Sequence, residues 1–125
     1  MSPESVDYFG SAERILADAE IILQAGRNEV AAREAYSVML QATRAIIFEK
    51  TGQAPKTHSG ARSELSRLIR EGLTFDGHLA GLLATGFDTK ADVDYGPRTA
   101  ISQEVAERAV EDARTFLAAA RKVCE

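Results

Sequence analysis

Apolar residues along this chain recur at three- and four-residue steps, the spacing that gathers side chains on one face of an α-helix. Ser2 and Pro3 suit an N-cap and first helical position, and Ile15, Ala19, Ile22 and Leu23 keep one face apolar until Gly26 stops the helix. After a turn at Arg27 and Asn28, the residues Ala32, Ala35, Tyr36, Met39, Thr43, Ile46 and Ile47 predict a second, longest helix through Lys50, capped by Gly52. A loop from Gln53 to Gly60 contains Pro55, and Leu65, Leu68 and Ile69 mark a short third helix ending at Gly72. Asp76 is the expected N-cap of a fourth, with Leu79, Leu82, Leu83 and Phe87 inward and its end frayed before Tyr95. Gly96 and Pro97 break the chain, Ser102 caps the last helix, and Ala106, Ala109, Val110, Ala113, Phe116, Leu117 and Ala120 form its apolar stripe.

No segment alternates with period two for long enough to form a strand, so the fold class is all-α. Short connections between long amphipathic helices favour antiparallel neighbours, which predicts an up-and-down bundle of four main helices plus one short helix. With 125 residues, 45% hydrophobic and 27% charged, the chain fits one domain spanning 1–125 with one core. The alanines of the last helix permit close helix contact, within the chain or between copies.

Charge changes this picture more than composition does. The net charge of -4 and a pI near 5.2 argue against a basic surface built for duplex nucleic acid. Between Gly26 and Arg70, however, eight Lys or Arg face four Glu, while each flank carries an acidic excess of four. These cations either sit scattered on solvated helix faces or converge on an anion-binding face.

Cys124 is the only cysteine, which excludes an intrachain disulfide and a Cys-based zinc site and favours a reducing cytoplasm. The N-terminus lacks the order of a signal peptide, and no apolar run approaches the ~20 residues that span a bilayer, so no membrane association is expected. His58 and His78 stand alone, without HExxH or other Glu/His helix spacing, so no metal and no cofactor is expected. Neither GxxxxGK[ST] nor GxGxxG occurs.

Two polar clusters remain. In Lys56, Thr57, His58, Ser59 and Gly60, Thr57 or Ser59 can cap the third helix, whose free N–H groups with Lys56, His58 and Arg62 suit a phosphate or carboxylate; the alternative is plain capping, with His58 as a hydrogen-bonded joint. The second cluster runs from Lys90 through Asp92, Asp94 and Tyr95 to Arg98. Asp92 and Asp94 are two apart and point in different directions on a helix, which disfavours a carboxylate pair and leaves Asp94 to cap or to pair locally. Tyr36, on the inner stripe, is expected to pack in the core, with base stacking as the alternative role for it and for Tyr95.

Three stretches in order carry a resemblance: Ala32-Arg33-Glu34-Ala35-Tyr36-Ser37-Val38-Met39-Leu40-Gln41-Ala42-Thr43-Arg44-Ala45, then Lys56-Thr57-His58-Ser59-Gly60, then Lys90-Ala91-Asp92-Val93-Asp94-Tyr95. With Tyr8-Phe9-Gly10 and Phe116-Leu117 they resemble the HEPN family of small helical bundles, in its one-domain bacterial branch. The resemblance implies a four- to five-helix bundle, usually a homodimer, often encoded beside a minimal nucleotidyltransferase in toxin-antitoxin pairs. Many members are metal-independent ribonucleases that use an Arg followed, after four to six residues, by a His. Here Arg70 and His78 are separated by seven residues, and no other pair comes close. The long helix has Ser37 and Gln41 where the branch usually has an aromatic and a His, and Lys90 replaces an Arg, losing the fork that grips phosphate.

The resemblance, with these departures, implies a non-catalytic module, dimeric, that engages a nucleotide, an RNA segment or a nucleotidyltransferase partner through Arg33, Arg44, Lys56, His58 and Lys90. Two alternatives stay open. One is a degenerate ribonuclease with His58 as base, Lys90 and Arg62 on the phosphate and Asp94 orienting the base; the other is a structural or inhibitory protein-interaction domain. Tyr95, after Asp94, is a candidate for modification by a transferase partner.

Overall fold

The computed structural model describes residues 1–95, without the Tyr95 side chain, and 100–125. Five helices appear in order: α1 (Pro3–Gln24), α2 (Asn28–Thr51), α3 (His58–Arg70), α4 (Gly77–Tyr95) and α5 (Gln103–Cys124). The described residues contain no strand. The chain is an all-helical bundle with α2 at its centre, packed against each of the other four helices.

Side-chain contacts fix the directions. Ser5 meets Glu49 and Ser11 meets Gln41, so α1 and α2 are antiparallel. Arg33 reaches Asp94 while Tyr36 meets Phe87, so α4 also opposes α2. Asn28 and Glu29 bind the backbone of Ile101, which sets the start of α5 beside the start of α2. The four long helices therefore alternate up and down, as their patterning predicts, and α3 is the additional short one.

The helix ends follow local chemistry. Ser2 and Ser102 accept from the backbone N–H groups of Ser5 and Val105, and Pro3 occupies the first turn, where no N–H is needed. The Asp76 carboxylate accepts from the His78 N–H at 2.7 Å and caps α4. Gly26 and Gly72 adopt φ of 79° and 112°, the left-handed conformation that closes a helix with paired bonds, here Arg27 N–H to Ile22 O and Leu73 N–H to Leu68 O. Helix α4 continues through Tyr95 instead of fraying before it, held in its last turn by the Lys90–Asp94 pair one turn apart. The expected break at Gly96 and Pro97 lies outside the described residues.

Helix α2 buries residues on nearly every side, including Ala31, Ala32, Ala35, Tyr36, Val38, Met39, Ala42, Ala45, Ile46 and Ile47. Its alanines let neighbours approach closely, and larger side chains from other helices fill the gaps: Phe9, Leu65, Leu83, Val110 and Phe116. Phe116 meets Phe75 edge-on with centroids 5.2 Å apart. On the surface, Arg114–Glu20 and Arg121–Glu13 link α5 to α1, exposed pairs that contribute little to stability.

The connection from α2 to α3 matters most for function. It folds back along α2, where the Arg44 Nε donates to the Pro55 carbonyl at 3.4 Å. The first turn of α3 is thereby laid beside the middle of α2.

Candidate functional site

Thr57 caps α3 in extended conformation, its Oγ1 accepting from the Gly60 N–H at 2.9 Å. His58 is then the first helical residue, with its ring turned inward between α2 and α4. Its Nδ1 lies 2.7 Å from the Oη of Tyr36, a residue only 1% exposed in the middle of α2. Phe87 of α4 completes an aromatic cluster, its centroid 5.1 Å from His58 and 5.9 Å from Tyr36.

Cations surround this cluster. Arg62, one turn beyond His58 on α3, lies over the Phe87 ring at 5.6 Å. Arg44 spans Gln41 Oε1, at 3.1 Å, and the Pro55 carbonyl. Among the described residues neither arginine has a carboxylate partner. Lys90, on the turn of α4 after Phe87, pairs with Asp94 at 2.5 Å.

These surroundings favour the uncharged form of both partners of this part-buried hydrogen bond. Burial pushes the His58 pKa below its ordinary value, and the charges of Lys90, Arg44 and Arg62 push it further down. Burial raises the Tyr36 phenol, an effect opposed but not cancelled by Arg62 and Arg44. The uncharged form is thus favoured for a half-buried imidazole that lies near two guanidinium groups without carboxylate partners.

The sequence candidates divide accordingly. His58, Arg62, Arg44 and Lys90 converge, since all three cations act on the imidazole. Arg33 does not join them; it bridges Glu34 at 3.7 Å and Asp94 at 3.6 Å. Lys56 is exposed on the loop before the cap and Ser59 is exposed in the first turn of α3, and the Thr57 hydroxyl is engaged in capping. Asp94 faces Lys90 and Arg33, so the group that orients His58 is Tyr36 and not Asp94. The Tyr95 side chain lies outside the described residues. Arg70 ends α3 and His78 opens α4 on separate helices, with His78 exposed.

Tyr36 and Phe87 are the members that patterning alone does not assign to a site. Both occupy inner-face positions, and the only clue was that a buried phenol requires a hydrogen-bond partner. A groove of about 730 Å³ lies at the ends of α3 and α5 and shares no lining residue with the cluster. A smaller one of about 420 Å³ between α3 and α4 takes Arg62 and Arg70 into its wall.

A profile of the HEPN domain matches residues 5–123, nearly the whole bundle and all of this cluster. The chain belongs to the HEPN family. This HEPN chain is also 29% identical over 110 residues to a UPF0332 protein of Archaeoglobus fulgidus, an alignment covering 88% of this chain and 86% of that one. Among the described residues of this HEPN domain, no group of three or more His, Cys, Asp or Glu is placed to hold a metal ion, and no helix is long and apolar enough to cross a membrane.

Proposed function

We propose that this HEPN domain is a non-catalytic module that recognises the phosphate of a nucleotide or RNA segment at His58, Arg44 and Arg62, with Lys90 adding to the local positive potential. The observation that carries the reading is the pair of arginines without carboxylate partners near a half-buried histidine whose pKa their charges push down. Guanidinium groups left unneutralised near a protein surface are poised for oxyanions, which they bind through charge-assisted hydrogen bonds. The groove wall shared by Arg62 and Arg70 offers room beside the phosphate for the rest of the ligand. In keeping with the family resemblance, the module acts as a cytoplasmic homodimer beside a minimal nucleotidyltransferase of the toxin-antitoxin type.

The test is titration calorimetry with ADP and with a short single-stranded RNA, at low and at physiological salt. Replacing Arg44 or Arg62 by Ala should each weaken binding about 10- to 100-fold, the range expected for one charge-assisted hydrogen bond. Equal affinity in the wild type and both variants refutes the site. Cleavage of RNA by the wild type, lost in His58→Ala, would replace the binding reading with the ribonuclease one. Light scattering, and mass spectrometry of co-purifying protein, test the dimer and the transferase partner.

A further inference from the structure

The Tyr36–His58 hydrogen bond has two possible proton arrangements. Either the phenol donates to Nδ1, or Nδ1–H donates to the phenolic oxygen. In the second case the phenol hydrogen needs another acceptor, and among the described residues Tyr36 Oη has no partner besides His58. An orphaned O–H in the interior costs about 1–3 kcal/mol, so the first arrangement prevails. A neutral imidazole whose Nδ1 accepts must carry its single proton on Nε2. That nitrogen has no protein partner among the described residues, and it is not among the buried polar atoms left unsatisfied. It therefore opens toward solvent. Tyr36 and Phe87, with centroids 5.5 and 5.1 Å from the imidazole, leave the ring little freedom to flip.

We propose that Tyr36 is a positioning residue that locks His58 in its Nε2–H form, so that the outward nitrogen is a hydrogen-bond donor to an anionic oxygen. Together with Arg44 and Arg62 the site then presents donors only. It suits a fully ionised phosphate oxygen, which brings lone pairs and no proton. The one lone pair of the imidazole is held inside by the phenol, so His58 does not accept a proton from a ligand through Nε2. This inference rests on the anion-binding reading for its ligand but not for its tautomer.

The experiment is a long-range proton–nitrogen correlation spectrum of the ¹⁵N-histidine-labelled protein above pH 7, with His58 distinguished from His78 through the His58→Gln variant. The expected spectrum shows a protonated Nε2 and an unprotonated Nδ1 for His58, with the Nε2 resonance moving as inorganic phosphate is added. In Tyr36→Phe the two tautomers should mix, and phosphate affinity should fall roughly 3- to 10-fold, the equivalent of one neutral hydrogen bond. A wild-type His58 protonated on Nδ1, or one that keeps a pure Nε2–H pattern in Tyr36→Phe, overturns the lock. If Tyr36→Phe does not fold, the wild-type spectrum decides. A correct tautomer in a protein that ignores phosphate upholds the lock and sinks the anion-binding reading instead.

Discussion

Two glycines of α4 should respond in opposite directions to the same substitution. Gly81 and Gly86 both lie inside the helix, where alanine is favoured over glycine by about 0.8–1.0 kcal/mol. A methyl group at Gly81 meets nothing within 4 Å, so Gly81→Ala should stabilise the protein by nearly that amount. At Gly86 the same group falls 2.6 Å from Met39 Cε and 3.1 Å from Tyr36 Cδ1. The methionine end can swing aside, but the tyrosine ring is held by its bond to His58, so α4 must move off α2. Overpacking of this kind costs about 1–3 kcal/mol, which outweighs the helical gain and leaves Gly86→Ala destabilised by about 1 kcal/mol. The two variants should thus differ by about 2 kcal/mol, or about 8 °C in melting temperature for a chain of this size. Thermal melts followed by circular dichroism, with urea unfolding for free energies, supply the measurement. Equal stabilisation by both substitutions would refute the close approach of α4 to α2 on which the aromatic cluster depends.

Two further outcomes follow from burial and charge. Phe116→Ala, which empties a fully buried ring site against Phe75, should cost about 3–5 kcal/mol in urea unfolding, and a loss below 1 kcal/mol would contradict its place in the core. His58 should titrate below 6.5 in an NMR pH series. Because its folded pKa is lowered, the unfolded chain takes up the proton first: the His58 contribution to stability is intact above about pH 6.5 and is lost as pH falls from there through the folded value. Added phosphate should raise that value, and a titration at or above the ordinary histidine range without ligand would contradict the environment described.

Much of the fold was legible because helix formation is a local matter. The caps at Ser2, Asp76 and Ser102 and the stops at Gly26, Gly52 and Gly72 satisfy or release backbone groups within a few residues, and the apolar stripes repeat at helical spacing. The third helix started at His58, inside the stretch expected to be loop, because Thr57 and not Ser59 supplies the cap. The end of α4 also differed, since the Lys90–Asp94 pair and the cross-helix contact to Arg33 support turns that composition alone leaves weak.

The sequence by itself determined that the chain is helical, where most helices begin and end, that no intrachain disulfide can form, and which polar residues were candidates for chemistry. Only the tertiary structure decided how those candidates meet. Arg33, Arg44 and Arg62 are the same letter, yet packing neutralises Arg33 with Asp94 and leaves Arg44 and Arg62 without carboxylates. Tyr36 and His58, twenty-two residues apart, become one unit because the α2–α3 connection folds back along α2. Helical periodicity reports which face of a helix is apolar, but the charge state and tautomer of a side chain depend on neighbours brought by other helices, which no local pattern encodes.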